Sequence, residues 1–231
     1  MNNYRSITRE NKLSDADIQV FEKIEVCNVV FRYSGDNNFQ IGPLSVSFHK
    51  NEISFIIGGN GSGKSSFMKV LTGLCEYQKG SILVNDTIVS SADLGEMFSA
   101  VLSENYLFET LYGVDTKNRM EEIENLLEKL NLEEDVSVIE NKFNTLDLSS
   151  GQKQRLALMI AYLDDKPIFL FDEWAANQEP NFKKIFYYEI LPELKNQGKC
   201  VIVVTHDDAY YDIADKIYRM KDGKILTVEN N

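Results

Sequence analysis

An apolar run, a glycine-rich loop and a lysine follow one another in residues 54–66, which read Ser54-Phe55-Ile56-Ile57-Gly58-Gly59-Asn60-Gly61-Ser62-Gly63-Lys64-Ser65-Ser66. This order matches the pattern G-x-x-x-x-G-K-[ST] between a strand and a helix. In this pattern the glycines let backbone N–H groups turn toward phosphate oxygens, and the start of the next helix adds partial positive charge. Residues 58–66 therefore predict a loop that binds nucleotide phosphates.

Two side chains of this loop suit a nucleotide and its metal ion. Lys64 would reach the β- and γ-phosphates, and the hydroxyl of Ser65 would bind Mg²⁺. The alternative is a glycine-rich turn that happens to precede a lysine. Because a strand pattern precedes the loop and a helical pattern follows it, nucleotide binding is the favoured interpretation.

Polar residues also follow two other apolar strand patterns. Residues 168–171 are apolar and end at the adjacent carboxylates Asp172 and Glu173. Asp172 is placed to hold Mg²⁺ through water, and Glu173 can polarise an attacking water. His206 follows the apolar run 201–204 and suits a sensor of the γ-phosphate, since α/β proteins bind ligands where their strands end. The alternative for the acid pair is an ordinary solvent-exposed strand end.

The order of strand and helix patterns predicts an α/β fold. Strand patterns before the loop favour a small antiparallel sheet, and the alternation of strands and helices in the last third favours a parallel sheet. We predict a polar lead-in at residues 1–22, one domain over 23–231, and a helical subdomain inserted at about 92–160. The helix after the loop is expected to present one apolar face with Phe67, Val70, Leu71 and Leu74.

The composition disfavours several classes of partner. The chain has 231 residues and a net charge of -12, with 36 acidic residues against 24 Lys and Arg. This acid excess argues against the basic surface that binding to nucleic acid needs, and it disfavours direct binding to an anionic membrane. Its apolar runs are far shorter than the ~18 residues of a transmembrane helix. The three cysteines show no paired spacing, which indicates neither a disulfide framework nor a zinc site.

Half of the net charge lies in residues 121–135, where seven acidic residues accompany one basic residue. Such a run is usually the solvated face of a helix. The alternative is a face that meets basic loops of a membrane partner.

One further segment indicates the class of nucleotide-binding protein. It reads Leu148-Ser149-Ser150-Gly151-Gln152 and continues as Lys153-Gln154-Arg155-Leu156. This segment resembles the signature motif of ATP-binding-cassette (ABC) ATPases. With the phosphate loop, the acid pair and His206 in the same order, the resemblance covers the chain from about Ile24 to its end. It implies the P-loop NTPase fold of that family, a mixed β core with an inserted helical subdomain and a small antiparallel β subdomain.

The resemblance also implies ATP and Mg²⁺ as ligands and a head-to-tail dimer as the working unit. In such a dimer the signature residues contact ATP bound to the opposite subunit. Glu173 then matches the catalytic carboxylate, and His206 matches the switch histidine. Tyr33 occupies the place of the aromatic residue that stacks on adenine, with Phe31 as the weaker candidate.

Three places depart from the family pattern. The glutamine that usually touches Mg²⁺ and couples to the membrane domain falls here on Ser103 or Glu104, and a carboxylate at Glu104 could reach the ion through water. Ser150 replaces the second glycine of the signature. Residues 174–180 differ from the common sequence and place Glu179 where an aspartate usually crosses the dimer interface.

Short stretches at 98–101, 171–176 and 206–208 resemble the ATPase half of exporters of cyclic peptides and siderophore precursors. The resemblance implies an ATP hydrolase at the cytoplasmic face of the cell membrane that powers export of a cyclic peptide or similar small product. The transmembrane domain would lie on another chain or outside this sequence. Two alternatives stay open: a soluble ABC-type ATPase, such as one of DNA repair, and an ATP-binding regulatory module that is not coupled to transport.

Overall fold

The computed structural model describes residues 20–33, 39–103 and 106–230. Most of the predicted lead-in at 1–22, and also Glu104, lie outside the described residues. The strands are β1 (Lys23–Arg32), β2 (Gln40–His49), β3 (Glu52–Ile57), β4 (Lys79–Val84), β5 (Thr87–Ile88), β6 (Phe98–Val101), β7 (Val138–Ile139), β8 (Lys142–Phe143), β9 (Ile168–Asp172), β10 (Cys200–Val204), β11 (Lys216–Lys221) and β12 (Lys224–Asn230).

The helices are α1 (Lys64–Leu71), α2 (Ser91–Gly95), α3 (Met120–Lys129), α4 (Ser150–Asp164), α5 (Pro180–Ile185) and α6 (Leu191–Asn196). The 3₁₀ turn Trp174–Asn177 connects β9 to α5, the π-helical turn Phe186–Ile190 connects α5 to α6, and the 3₁₀ turn Asp208–Ile213 connects β10 to β11. Among the described residues, no helix combines the length and the apolar character that crossing a membrane requires.

A six-stranded sheet lies at the centre in the order β12-β11-β3-β10-β9-β6. Its strands run parallel except β12, which pairs antiparallel with β11 at one edge. Alternate residues of β3 enter two different cores, since Phe55 packs with residues of α4 and α6 whereas Ile56 packs with residues of α1. A sheet covered on both faces needs apolar residues at every position, and all residues of β9 and β10 are indeed buried. The predicted α/β fold class is confirmed.

The register of the central strands brings three chain segments to one edge of the sheet. β10 pairs with β3 on one side and with β9 on the other, so that Val204 lies opposite both Ile56 and Asp172. Because the three strands are parallel, the segments that follow them emerge side by side. These segments begin at Gly58, Glu173 and Thr205.

The predicted small antiparallel sheet has the order β2-β1-β4-β5. Its inward residues, such as Ile24, Val26 and Phe48, share one core with Phe67 of α1. The small sheet therefore covers the face of the central sheet that carries α1, and it supports the helix that follows the phosphate loop.

The inserted helical subdomain at about 92–160 stays a prediction. The structure shows which strands and helices lie in this range. Strand β6 lies within them and pairs with β9 in the central sheet. α3, the β7–β8 hairpin and α4 follow. α3 buries Ile123, Leu126 and Leu127 and exposes most of its acidic residues, so much of the acid-rich run is the solvated face of a helix.

The end of α1 differs from the sequence prediction. Helical periodicity predicts Leu74 on the buried face of this helix, but the residue is 63% exposed. The helix ends at Leu71, and Gly73 then adopts a left-handed conformation with φ of 74°. A Cβ atom at Gly73 would lie 1.9 Å from the carbonyl oxygen of Ser91, so only glycine fits this close approach. The turn rotates Leu74 away from the core.

A matched pair of glycine substitutions tests this helix end. Gly113 has a similar φ of 75°, but nothing lies within 4 Å of a Cβ atom added there. Gly113→Ala is therefore expected to lose only the left-handed strain, about 1 kcal/mol of unfolding free energy. Gly73→Ala adds a backbone clash and should lose about 3 kcal/mol or more. Urea denaturation measures both, and equal losses would contradict the close approach at Gly73.

Candidate functional site

The three segments at the sheet edge place the sequence-predicted polar residues together. Backbone hydrogen bonds continue past the strand ends. The N–H of Glu173 donates to the carbonyl of Val204 (3.0 Å), and the N–H of Thr205 donates to the carbonyl of Ile56 (3.3 Å). As a result, His206 Nε2 lies 3.2 Å from Glu173 Oε1. Residues 33 positions apart in the sequence thus share one site.

Lys64, the first residue of α1, reaches back to the start of the phosphate loop. Its side chain is buried, and Nζ donates hydrogen bonds to the carbonyl oxygens of Gly58 (2.8 Å) and Gly59 (3.3 Å). Burial lowers the pKa of Lys64, and the negative charges of Glu173 and Asp172 oppose this effect. Among the described residues no carboxylate forms an ion pair with Lys64, so this cation fits an anionic ligand.

The rest of the loop has the features that a phosphate ligand needs. α1 begins at Lys64, so its first N–H groups face the loop. The hydroxyl of Ser62 is buried and has no hydrogen-bond partner among the described residues. Ser65 is exposed beside Lys64 and is free of the core. The residues present therefore fit bound phosphate groups.

Asp172 is a buried carboxylate at the end of β9. Burial raises its pKa, a hydrogen bond from Ser103 opposes this, and the neighbouring charge of Glu173 raises the pKa further. The Ser103 hydroxyl donates this bond to Oδ2 over 3.2 Å. Of the two positions expected beside the metal ion, Ser103 thus lies next to Asp172, and Glu104 lies outside the described residues. A buried carboxylate and a hydroxyl are oxygen donors of the kind that Mg²⁺ prefers.

Glu173 has a strained backbone. Its φ of 52° and ψ of 30° are left-handed, which costs energy for a residue with a side chain. The conformation turns the chain away from β9 and leads into the 3₁₀ turn Trp174–Asn177. The Glu173 carboxylate consequently stays partly exposed, with 40% of its side-chain surface accessible, whereas Asp172 beside it is buried. The two adjacent acids therefore differ in solvation.

Sequence reasoning missed the residues that hold the segment around His206. The Tyr187 hydroxyl lies 2.7 Å from Thr205 Oγ1 and donates to Asp207 Oδ2 over 3.1 Å. Lys183 donates to both oxygens of Asp207, at 3.1 and 3.2 Å. The residues on either side of His206 are therefore bound to the helical segment after the acid pair. Tyr187 lies in a π-helical turn, a rare geometry often found at functional sites, but nothing in its local sequence marks it.

Tyr33 lies against the helix that follows the phosphate loop. Ser66 Oγ donates to the Tyr33 hydroxyl over 3.3 Å. The Tyr33 ring is 38% exposed and contacts the edge of Phe31, whereas Phe31 is only 5% exposed and belongs to the core. Of the two aromatic candidates, Tyr33 thus has the accessible ring. It also lines a surface cavity together with Val30, Arg32, Gln40, Gln78 and Lys79.

The signature segment lies elsewhere on the surface. Ser149 caps α4, accepting a bond from the N–H of Gln152, whose side chain bonds back to the N–H of Ser149. Gln152 also donates to Asp135 over 2.6 Å. Ser149 and Ser150 are exposed, Leu148 is half-buried and Gly151 is buried. Within the described part of the chain, no hydrogen bond joins this segment to the phosphate loop.

Comparisons with known proteins agree with these features. The family described as ABC transporter matches residues 41–176. The chain is 41% identical over 213 residues to the ATP-binding protein SyrD of Pseudomonas syringae, which covers 88% of this chain and 38% of SyrD. It is 32% identical over 216 residues to the energy-coupling factor transporter ATP-binding protein EcfA1 of Thermotoga maritima, covering 88% of this chain and 80% of EcfA1.

A solved structure shows the same fold. A bacterial Atm1-family ABC exporter with ATP bound matches 97% of this chain and 40% of that chain, with a TM-score of 0.79 and 21% sequence identity. The chain thus spans less than half the length of SyrD and of the exporter chain.

The burial of Asp172 predicts a stability change of unusual sign. Its ionised carboxylate destabilises the protein, because the native pKa is raised above that of the unfolded chain. Asp172→Asn is therefore expected to raise the Tm of the ligand-free protein at pH 7. The native state binds more protons between the two pKa values, so the gain shrinks as the pH falls toward about 3.9, the ordinary Asp pKa.

Asp86→Asn is the matched control for this measurement by calorimetry. A hydrogen bond from Lys23 lowers the pKa of Asp86, so removing its charge should not raise the Tm. A lower Tm for Asp172→Asn at pH 7 would contradict the prediction.

Proposed function

The chain belongs to the ABC transporter family, and we propose that it binds ATP and hydrolyses it to drive a membrane transporter. The observation that carries this proposal is the 3.2 Å contact between Glu173 and His206, together with the buried ammonium of Lys64 in the phosphate loop. A carboxylate, an imidazole and a cation in this arrangement serve the attacking water, the γ-phosphate and the leaving phosphates respectively.

Each residue of the site has a distinct part in the proposed reaction. Lys64 exchanges its bonds to the loop carbonyls for bonds to phosphate oxygens. Glu173, partly exposed, orients a water molecule and accepts its proton. His206 contacts the γ-phosphate and stabilises the charge of the transition state. Tyr33 stacks on the adenine ring. Catalysis is thus mainly positioning and charge stabilisation.

Mg²⁺ belongs to the same proposal. Ser65 and Asp172 would hold it, Asp172 through water, with Ser103 as the neighbouring hydroxyl. The Asp172 carboxylate and the phosphates are both negatively charged. The ion would neutralise this combined negative charge.

The exposed signature segment supports a dimer as the working unit. Ser149, Ser150 and Gln152 lie at the start of α4, and no hydrogen bond of the described residues links them to the phosphate loop of the same chain. We propose that they contact ATP held by a second copy arranged head to tail. Two identical sites then form at once, because each chain supplies one signature segment and one phosphate loop.

An aromatic cleft is the proposed contact with the transmembrane domain. Tyr106 (81% exposed), Phe108 (58%) and Tyr112 (73%) form a row of edge-to-face rings on the surface. Together with Ala157 and Ile160 of α4 they line an apolar cleft next to β6. Large exposed aromatic groups beside a cleft are typical of an interface that an apolar helix enters. The acidic face of α3 would lie near basic loops of the same partner.

Export of a peptide or similar small product from the cytoplasmic face of the membrane completes the proposal. Its support is the sequence of residues 98–101, 171–176 and 206–208, which resembles the exporters of cyclic peptides and siderophore precursors. The transported molecule would bind to the transmembrane domain.

Replacing Glu173 tests the catalytic assignment. Glu173→Gln keeps the shape of the side chain but cannot accept a proton, so hydrolysis is expected to fall by about 10²-fold or more. ATP binding should remain, since Lys64 and its loop are unchanged, and the uncleaved ATP should trap a dimer. Phosphate release and size-exclusion chromatography measure the two effects. Glu124→Gln on the exposed face of α3 is the control and should hydrolyse ATP at the wild-type rate. A wild-type rate of hydrolysis by Glu173→Gln would contradict the catalytic assignment of Glu173.

Replacing Phe108 tests the docking surface. Phe108→Asp places a charge in the apolar cleft, so the protein recovered with membranes that contain its transmembrane partner is expected to fall about tenfold. Leu226→Asp introduces the same charge at another exposed apolar residue, on β12, and should leave recovery unchanged. Equal recovery of the two variants would show that the partner binds elsewhere.

A further inference from the structure

The side chain of Gln178 is a buried amide with all of its polar atoms bonded. It is 6% exposed and lies between the start of α4 and the segment that follows Glu173. Nε2 donates to the carbonyl of Gly151 (3.1 Å) and to Gln154 Oε1 (3.2 Å), while Oε1 accepts a bond from Arg155 Nε (3.1 Å). We call these three contacts the Gln178 junction. A satisfied polar group in a dry core specifies one arrangement of the elements that it joins.

The junction lies within the stretch 174–180 that departs from the family pattern. The sequence alone offered no role for Gln178. In the structure it contacts the signature helix, so the unusual residue is connected to one of the functional motifs.

A rigid turn connects the junction to Glu173. The 3₁₀ turn Trp174–Asn177 is closed by backbone bonds from Ala176 to Glu173 (3.1 Å) and from Gln178 to Ala175 (3.1 Å). Trp174 is fully buried, stacks on Phe186 and donates from Nε1 to the carbonyl of Gln154 over 2.8 Å. The four residues between Glu173 and Gln178 therefore have little freedom to absorb a movement of either end.

The signature glycine makes the contact with this turn close. A Cβ atom at Gly151 would lie 3.0 Å from the carbonyl oxygen of Asn177 and 3.6 Å from Gln178 Oε1. Any side chain at position 151 would push the helix and the turn apart. Packing within the same chain therefore favours glycine at position 151, in addition to any contact with ATP bound to a second chain.

Arg155 extends the junction to the end of α3. Its guanidinium group lies over the ring of Phe182, 4.3 Å from the centroid, and NH1 donates to the carbonyl of Leu130 over 3.5 Å. Nε of the same group binds Gln178. The Arg155 side chain would therefore transmit a shift of α3 or α4 to the turn after Glu173.

We propose that Gln178 is a positioning residue that makes the signature segment and the Glu173 carboxylate of one chain move together. This rests on the proposed function, in which the two groups of one chain serve two different nucleotides of the dimer. The signature binds the partner's ATP, and Glu173 acts on the chain's own ATP. The Gln178 junction then couples the two sites, so that ATP at one site sets the carboxylate at the other.

Gln178→Met tests the coupling, because methionine has nearly the same length but cannot form the three hydrogen bonds. The hydrolysis rate is measured against ATP concentration at protein concentrations that support dimers. The wild type is expected to show a Hill coefficient above 1. Gln178→Met should show a coefficient near 1 and a kcat about tenfold lower, with an ATP Kd within about twofold of the wild type.

Two further variants separate positioning from folding. Gln178→Glu keeps the bond to Arg155 but turns an acceptor toward the Gly151 carbonyl, and it should change the Hill coefficient in the same direction. Gln197→Met removes an exposed amide at the C-terminal end of α6 and should behave as the wild type. Loss of activity in proportion to the folded fraction, with an unchanged Hill coefficient, would overturn the proposal. A wild-type coefficient of 1 would overturn it equally.

Amide hydrogen exchange distinguishes failure of this proposal from failure of the proposed function. In Gln178→Met, exchange is expected to rise together in residues 151–155 and 174–178. A rise limited to 174–178 would overturn the linkage whether or not the protein hydrolyses ATP. Wild-type protein that binds ATP without hydrolysing it would contradict the proposed function instead. The exchange data would then still test whether Gln178 links the signature segment to the turn after Glu173.

Discussion

The structure depends on keeping a buried cation and a buried carboxylate in one site without an ion pair between them among the described residues. Lys64 begins the helix after the phosphate loop and Asp172 ends β9, and burial lowers the pKa of the ammonium and raises that of the carboxyl. The Lys64 ammonium bonds to its own loop carbonyls, and the Asp172 carboxylate bonds to Ser103. Neither charge is therefore neutralised by the other, at a cost in stability to the ligand-free protein.

The parallel sheet makes this arrangement possible, because it brings the ends of β3, β9 and β10 to one edge in a defined register. Each following segment is then held by a different set of tertiary contacts. The phosphate loop is held by α1, and the segment around His206 is held by Tyr187 and Lys183. The turn after Glu173 is held by Gln178 and Trp174. The turn after Glu173 is in addition bonded to α4 through Trp174 and Gln178.

The parts of the site that follow apolar strands could be predicted from the sequence, because a strand end followed by a loop or an acid pair is a local pattern. This local pattern identified Lys64, Asp172, Glu173 and His206. The parallel order of the strands then accounts for the proximity of the segments that carry them. Leu74 was placed wrongly, since helical periodicity continues past the point where the Gly73 turn ends the helix. Tyr187 and Gln178 were not found, because their partners lie 18 to 27 residues away in the sequence.

The sequence by itself determined the family, the class of ligand and the order of strands and helices, because these depend on short patterns of glycine, charge and apolar periodicity. Only the tertiary structure decided which aromatic residue near the loop is accessible and what surrounds His206. It also decided that an unusual glutamine contacts the signature glycine. These outcomes depend on which side chains meet across helices and strands distant in the sequence, and packing alone brings such residues together.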